Sequence, residues 1–306
     1  MQVITEHFRL IDTEALGGRQ SVAAYLVEGE VAALVDMGYA SSVEVVEREL
    51  SLLRSDCPLR YLVPTHIHLD HAGSVGLLAE RYPDSVVVVQ NRGAVHLLNP
   101  SRLVDSVKRT YGEDLVRKMG VVHAVFENQL RLASDQDRLD LGSGVALDLT
   151  WAPGHAPHQM IVFEPSTGVM ITGDAAGMRY PELPILIPTT PPPSFDPELT
   201  IETLQRIKRM GPRLLLIPHF GVAEDVDFLI DGTMERVLEW KELIGPLVAN
   251  GKTVDDVYRV LVQWASVEAG TQSSMLPDYV RLSLRTNALG LWNYFDRTKR
   301  VHLRPQ

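Results

Sequence analysis

Residues 64 to 74 read "PTHIHLDHAGS", which places His66, His68, Asp70 and His71 within six positions. Imidazole nitrogens and a carboxylate at this density form a donor set for a divalent cation, and Asp beside His favours zinc, iron or manganese over calcium. The preceding "YLV" is strand-like, so His66 and His68, two apart, project the same way if the extended chain continues. The chain must then turn, which brings Asp70 and His71 round on a different side. One pair plus one pair suits two adjacent ions better than one. A chance cluster on an exposed loop would explain any single histidine here. It does not explain the full H-x-H-x-D-H run at the end of an apolar strand.

A two-ion site needs further ligands, and suitable residues recur where strands end. "TWAPGHAPHQM" places His155 after a strand and a Pro-Gly turn, "VMITGDAAG" ends a strand at Asp174, and "LLLIPHFG" ends another at His219. Each is weak alone, since an aspartate after "TG" is more often a turn residue. Their joint occurrence, each just after an apolar strand, suits a fold that assembles its site from strand ends.

The elements that must position these residues are legible in outline. "SVAAYLVEG" and "EVAALVDMG" read as a hairpin turning at Gly29-Glu30. "SSVEVVERELSLLR" reads as a helix with Ser41 and Ser42 as candidate N-caps and Val43, Val46, Leu50 and Leu53 on one face. "LRYLVPTH" is a buried strand entering the histidine cluster, "GSVGLLAERYP" a short helix stopped by Pro83, and "SVVVVQ" another strand. Residues 101–119 read as helical, and strands return at "VALDLTWAP", "QMIVFEP", "GVMITGD" and "PRLLLIPH". The prolines of 179–197 forbid helix interior and central strand, leaving either a lid over the site or a plain surface connection. Beyond about 226 the pattern is helical, with Thr253 and Asp256 as a capping box.

Composition narrows the function classes. Lys and Arg number 29 against 39 Asp and Glu, a net charge of −10, which disfavours a broad nucleic-acid footprint. A single cysteine, Cys57, rules out an intrachain disulfide and a cysteine-built zinc site. No signal peptide and no membrane-length apolar run is visible, so the expectation is a cytoplasmic protein without membrane contact.

Taken in order, "THIHLDHAG", "PGHAPH", "TGD" and "PHFG" resemble the metallo-β-lactamase-fold hydrolases over roughly residues 20 to 225. The likeness is nearer to the glyoxalase II and lactonase-like branches than to the antibiotic-hydrolysing ones. It implies an αββα sandwich; with the helical pattern of the tail, the expectation is an α/β fold with that sandwich over residues 1–225 and a helical C-terminal extension over 226–306. It further implies that His66, His68 and His155 hold one metal, that Asp70, His71 and His219 hold a second, and that Asp174 bridges them. "AALVDMG" resembles the family's early "LVDTG" strand, whose aspartate, here Asp36, supports the site from behind.

The expected cofactors are two divalent ions, zinc first, with iron or manganese as alternatives. Two such ions bring a water between them toward deprotonation at neutral pH, and one polarises the substrate oxygen. The expected reaction is metal-dependent hydrolysis of an ester, thioester or lactone by a bridging hydroxide, with Asp70 and Asp174 as the catalytic carboxylates that position it. No G-x-S-x-G elbow is present. An iron-dependent oxidoreductase or dioxygenase of the same fold, or a small phosphodiesterase, are the alternatives; the flavodiiron type usually carries glutamate where this chain has His68. The expected partner is a small-molecule substrate rather than nucleic acid, with a homo-oligomer through the C-terminal helices as a further expectation. Trp240, Trp264, Trp292 and Tyr294 read as helix core or dimer contact, Tyr180 as a packed or loop tyrosine, and His158 as a loop residue or a support of the site. His7, His96, His123 and His302 match no motif position.

Overall fold

Apolar residues at every second position build two sheets. In the first, β1 (Gln2–Val3), β2 (Phe8–Asp12), β3 (Ala23–Glu28), β4 (Ala32–Val35), β5 (Leu59–Val63), β6 (Val86–Gln90) and β7 (Leu130–Ala133) lie in chain order. β1 to β4 pair antiparallel and β4 to β7 parallel. Parallel neighbours need crossovers. α1 (Val43–Leu50) supplies the first, and α2 (Leu69–Ala72) with α3 (Val75–Arg81) the second. α4 (Asn91–Leu98), α5 (Ser101–Tyr111) and α6 (Glu113–Met119) make up the third. The second sheet holds β8 (Asp137–Gly142), β9 (Val145–Trp151), β10 (Met160–Glu164), β11 (Val169–Ile171), β12 (Leu214–Ile217) and β13 (Gly221–Ala223). Its spatial order is β13-β12-β11-β10-β9-β8, antiparallel except for β11 and β12.

The computed structural model describes residues 1–183 and 185–302, without the side chains of 299–302, His302 among them. Period-two alternation sorts the strand residues to two faces. Tyr25 and Val27 of β3, Val63 of β5 and Val88 of β6 share one cluster with Leu147, Val162 and Leu216 of the other sheet, so the two sheets face each other. Leu26, Leu62, Val87 and Val89 turn the other way and pack with Val46, Leu50, Val75 and Leu78 of α1 and α3. Each such burial stabilises the fold by about 1.5–3 kcal/mol. The observed fold class is the expected one: α/β, two sheets, and a helical C-terminal region.

The chain separates into two compact units. Met1–Ala152, His158–Gly173 and Gly211–Glu224 form one, which carries both sheets and α1 to α6. Pro153–Pro157, Asp174–Met210 and the chain from Asp225 onward form the other. It contains α7 (Pro197–Met210), α8 (Val226–Ala249), α9 (Val254–Glu268) and α10 (Asp278–His302). The helical unit thus takes in 153–157 and 174–210 as well as the chain from Asp225.

Packing explains that grouping. Tyr180, Leu183, Ile185, Ile187 and Phe195, from the proline-rich stretch, share a core with Met178, Trp240, Trp264, Leu284 and Leu291. With its apolar side chains buried among these helices, the stretch is packed structure rather than a plain surface connection. Tyr180, 5% exposed, is packed as its sequence context suggests, ring edge against Tyr279. Trp240 and Trp264 stack edge to face at 5.0 Å, a core contact.

The Thr253–Asp256 capping box is present in both directions at the start of α9. Ser42 precedes α1 but makes no side-chain cap, because a 3-10 turn over Ala40–Ser42 leads into the helix instead. The sequence pattern does not disclose the edge strands β1, β7, β8 and β13, nor β2 and the helix α7: they are short or carry charged residues, which blurs their period. Among the described residues no helix is long and apolar enough to cross a membrane.

Candidate metal centre

The strand unit presents five of the seven expected ligands. β4 and β5 run parallel with Val35 opposite Val63, so Asp36 and Thr65 leave the sheet as neighbours. Asp36 takes a left-handed backbone (φ 54°), which Asp tolerates better than most residues. Its carboxylate is fully buried and accepts from the Thr65 backbone N–H (2.8 Å), the Thr65 hydroxyl (3.0 Å) and His71 Nδ1 (2.9 Å). α2 begins after His68, and its single turn places Asp70 and His71 at successive positions.

These contacts decide which imidazole nitrogen points into the site. A hydroxyl has one hydrogen, and the acceptor-only Asp36 takes the one from Thr65. Thr65 Oγ1 therefore accepts from His66 Nδ1 at 3.0 Å, which leaves His66 Nε2 as a lone-pair donor. The same logic applies to His71, whose Nδ1–H is held by Asp36. His219 donates from Nδ1 to the Ser21 carbonyl at 2.9 Å, again leaving Nε2 as the ligand atom. Fixing the second ring nitrogen in this way orients a histidine ligand and raises its basicity.

Asp70, His71 and His219 each offer a ligand atom, all within 4.8 Å of one another. Asp70 Oδ2 lies 3.6 Å from His71 Nε2 and 3.4 Å from His219 Nε2, and His66 Nε2 lies 3.0 Å from His68 Nδ1. Two donors on one tetrahedral zinc at about 2.0–2.1 Å stand about 3.3 Å apart. The donor types and separations therefore fit a divalent cation.

The helical unit carries the other two. His155 Nδ1 donates to the Thr189 carbonyl at 3.4 Å, and His155 Nε2 lies 3.5 Å from Asp174 Oδ2, another separation that suits shared coordination. By chain, His155 sits in the five residues between Ala152 and His158, and Asp174 directly follows Gly173. Gly173 is required twice over: its φ is +51°, and a Cβ there would stand 2.8 Å from Thr65 Oγ1.

Several supporting residues escaped the sequence reading. Tyr25, fully buried on β3, donates its hydroxyl to the Ile217 carbonyl (2.7 Å) and reaches Gly221 (3.2 Å), the two sides of the turn that carries His219. Burial, and then the charge of Asp36, push the Tyr25 phenol well above its ordinary pKa, so it stays a donor. Thr65 was visible inside the histidine motif, but nothing in an apolar strand distinguishes Tyr25 from a core aromatic. His158 joins the site's surroundings, its ring parallel to His66 at 6.3 Å and edge-on to His68 at 5.9 Å. His7 and His123 instead bond Glu28 and Glu80, away from the motif.

A family model described as the metallo-beta-lactamase superfamily matches residues 17–219. A metallo-beta-lactamase fold-containing protein of Sulfurisphaera tokodaii is 28% identical over 202 residues, 65% of this chain and 72% of that one. A diflavin flavoprotein of Synechocystis is 28% identical over 158 residues, covering 51% of this chain and only 24% of the relative. Among solved structures, an archaeal metallo-beta-lactamase superfamily protein from Sulfolobus tokodaii is similar at a TM-score of 0.65 and 25% identity, over 77% of this chain and 87% of that one. A metallo-beta-lactamase family protein from Thermus thermophilus is similar at 0.67 over 97% and 95%, and at 19% identity that likeness is one of fold alone.

Proposed function

The chain belongs to the metallo-beta-lactamase superfamily, and on that premise we propose that it is a two-metal hydrolase of a small-molecule ester, thioester or lactone. In this reading His66, His68 and His155 hold one ion, Asp70, His71 and His219 the other, and Asp174 contacts both. The observation that carries it is tautomer control: His66, His71, His155 and His219 each have Nδ1 engaged by a fixed acceptor, which turns Nε2 into a ligand. Zinc suits nitrogen and carboxylate donors of this kind, as do iron and manganese.

Bound divalent ions would supply a water acidified toward neutral pH and Lewis-acid polarisation of a carbonyl. The protein's own part is orientation. Asp70 Oδ2, between His71 and His219, and Asp174 Oδ2, beside His155, are the carboxylates that orient the attacking water. A thiol route is disfavoured by Cys57, which is buried against the Gly29 carbonyl and whose pKa is raised by burial and by nearby Glu28.

A second reading rests on the flavoprotein relatives, which match about half of this chain. It makes the protein an iron-dependent oxidoreductase. His68, where the flavodiiron type usually carries glutamate, speaks for the hydrolase.

The test is metal analysis of the purified chain combined with a panel of lactones, thioesters, aryl esters and bis-p-nitrophenyl phosphate. Two zinc or manganese ions per chain with carboxyl-ester or thioester turnover is the expected result. Iron content with oxygen uptake and no hydrolysis would replace the hydrolase with the oxidative reading, and turnover confined to the phosphodiester would replace it with a phosphodiesterase.

A further inference from the structure

Asn287 lies on α10, more than a hundred residues after Asp174, and is only 2% exposed. A buried carboxamide must find partners for both its ends, and this one finds them on a single short stretch of chain. Its Nδ2 donates to the Pro188 carbonyl at 2.9 Å, and its Oδ1 accepts from the Thr190 backbone N–H at 2.7 Å. The Thr190 hydroxyl returns a bond to the Asn287 carbonyl at 3.1 Å. The amide therefore grips the backbone on both sides of Thr189.

Thr189 in turn touches both candidate ligands of the helical unit. Its carbonyl accepts from His155 Nδ1 at 3.4 Å, and its hydroxyl donates to the Asp174 carbonyl at 2.5 Å. Proline at 188, 191, 192 and 193 removes backbone donors around this stretch, so a side chain must supply the bonds that a helix or sheet would supply elsewhere. One turn along α10, Gly290 admits the loop against the helix: a Cβ there would stand 1.8 Å from the Thr190 carbonyl oxygen. An interior helical glycine is unfavourable by itself, so its presence points to that close approach.

We infer that Asn287 is a positioning residue for His155 and Asp174, acting through Thr189, so that the C-terminal helix sets the geometry of two metal ligands. The inference rests on the reading of His155 and Asp174 as ligands. Its physical content is a relay in which the Asn287 amide sets the Pro188–Thr190 backbone, that backbone aims the Thr189 carbonyl, and the carbonyl sets the ring plane and tautomer of His155. Support of this indirect kind typically changes metal affinity about 10–100-fold.

The experiment is zinc titration of metal-depleted full-length protein against a chromophoric chelator, with circular dichroism and thermal unfolding run on each variant. Asn287→Leu removes both amide bonds. Asn287→Asp keeps an acceptor for Thr190 while losing the donor to Pro188, and Gly290→Ala displaces the loop without touching the amide. Expected are a roughly 10–100-fold loss of zinc affinity in Asn287→Leu, a smaller loss in Asn287→Asp, and a loss in Gly290→Ala despite the better helix former. A His155→Ala/Asp174→Ala background should erase the effect of Asn287→Leu, which general destabilisation would not do. Wild-type zinc affinity in Asn287→Leu, or an undiminished effect in that background, overturns the relay. Wild-type zinc affinity in His155→Ala/Asp174→Ala itself overturns the ligand reading, and the relay with it.

Discussion

The Thr65 hydroxyl oxygen stands 3.0 Å from Asp36 Oδ1 and 3.0 Å from His66 Nδ1. Asp36 thereby controls two histidines, His71 directly and His66 through one intervening hydroxyl. Thr65→Val preserves shape and removes the relay, stranding the His66 Nδ1–H in a fully buried site. The expected destabilisation is about 1–3 kcal/mol. Zinc affinity should fall about tenfold or more, since His66 is no longer held to one tautomer. Urea unfolding and chelator competition measure the two effects separately; a variant unchanged in zinc affinity would show that Thr65 serves only the fold.

Asp70 makes the sharper catalytic prediction, because its Oδ2 lies within 3.6 Å of His71 Nε2 and within 3.4 Å of His219 Nε2. Asp70→Ala and His71→Ala should each lower the metal content per chain. Each should also reduce hydrolysis by about 100-fold or more, which corresponds to roughly 3 kcal/mol of lost transition-state stabilisation. Asp70 is partly exposed, so its replacement should leave the unfolding midpoint of the metal-depleted protein nearly unchanged. Full activity in either variant with both ions retained would refute the assignment of these residues.

What sequence revealed and what it hid follow from the range of the interactions. His66, His68, Asp70 and His71 announce themselves because they share one turn of chain, and His155, Asp174 and His219 because each ends an apolar strand. The capping box at Thr253 and Asp256 is likewise local, and it was legible for that reason. Residues acting over long separations left no such mark. Tyr25 reaches Ile217 across 192 positions, and Asn287 reaches Pro188 across 99. The proline-rich stretch misled in a different way: proline content excludes regular structure, yet it says nothing about burial. Ile185 and Ile187 are in fact core residues of the helical unit.

Tyr25→Phe tests one of those hidden supports. The phenol oxygen is the only atom lost, and with it the bonds to Ile217 and Gly221 that flank His219. A stability loss of about 1 kcal/mol is expected from the hydrogen bond alone. A purely structural tyrosine would show that loss and nothing more. A tyrosine that also holds His219 in place should lower zinc affinity as well, and by a margin that disappears in His219→Ala. Equal zinc affinity in Tyr25→Phe and wild type would confine Tyr25 to the core.

Glu198 offers a pH test of the helical unit. It sits on α7, accepts from Lys241 of α8 and, at 2.7 Å, from the Tyr294 hydroxyl of α10, so one carboxylate ties three helices. Burial works to raise its pKa, but the bonds from Lys241 and Tyr294 outweigh it and hold the carboxyl below its ordinary value. The same contact, after burial, raises the Tyr294 phenol far above its ordinary value, so Tyr294 remains a donor through the neutral range. A carboxyl depressed in the folded state adds stability that is fully present above its unfolded pKa of about 4.3 and is lost as pH falls through the folded value. Glu198 is half exposed, so solvent screening limits the contribution to about 1 kcal/mol or less. Glu198→Gln should therefore be slightly less stable than wild type at pH 7, and the difference should close as pH falls below about 4. Denaturant unfolding of both proteins between pH 3 and about 7 measures that gap. A gap that widens toward acid would mean that the folded state raises the Glu198 pKa instead.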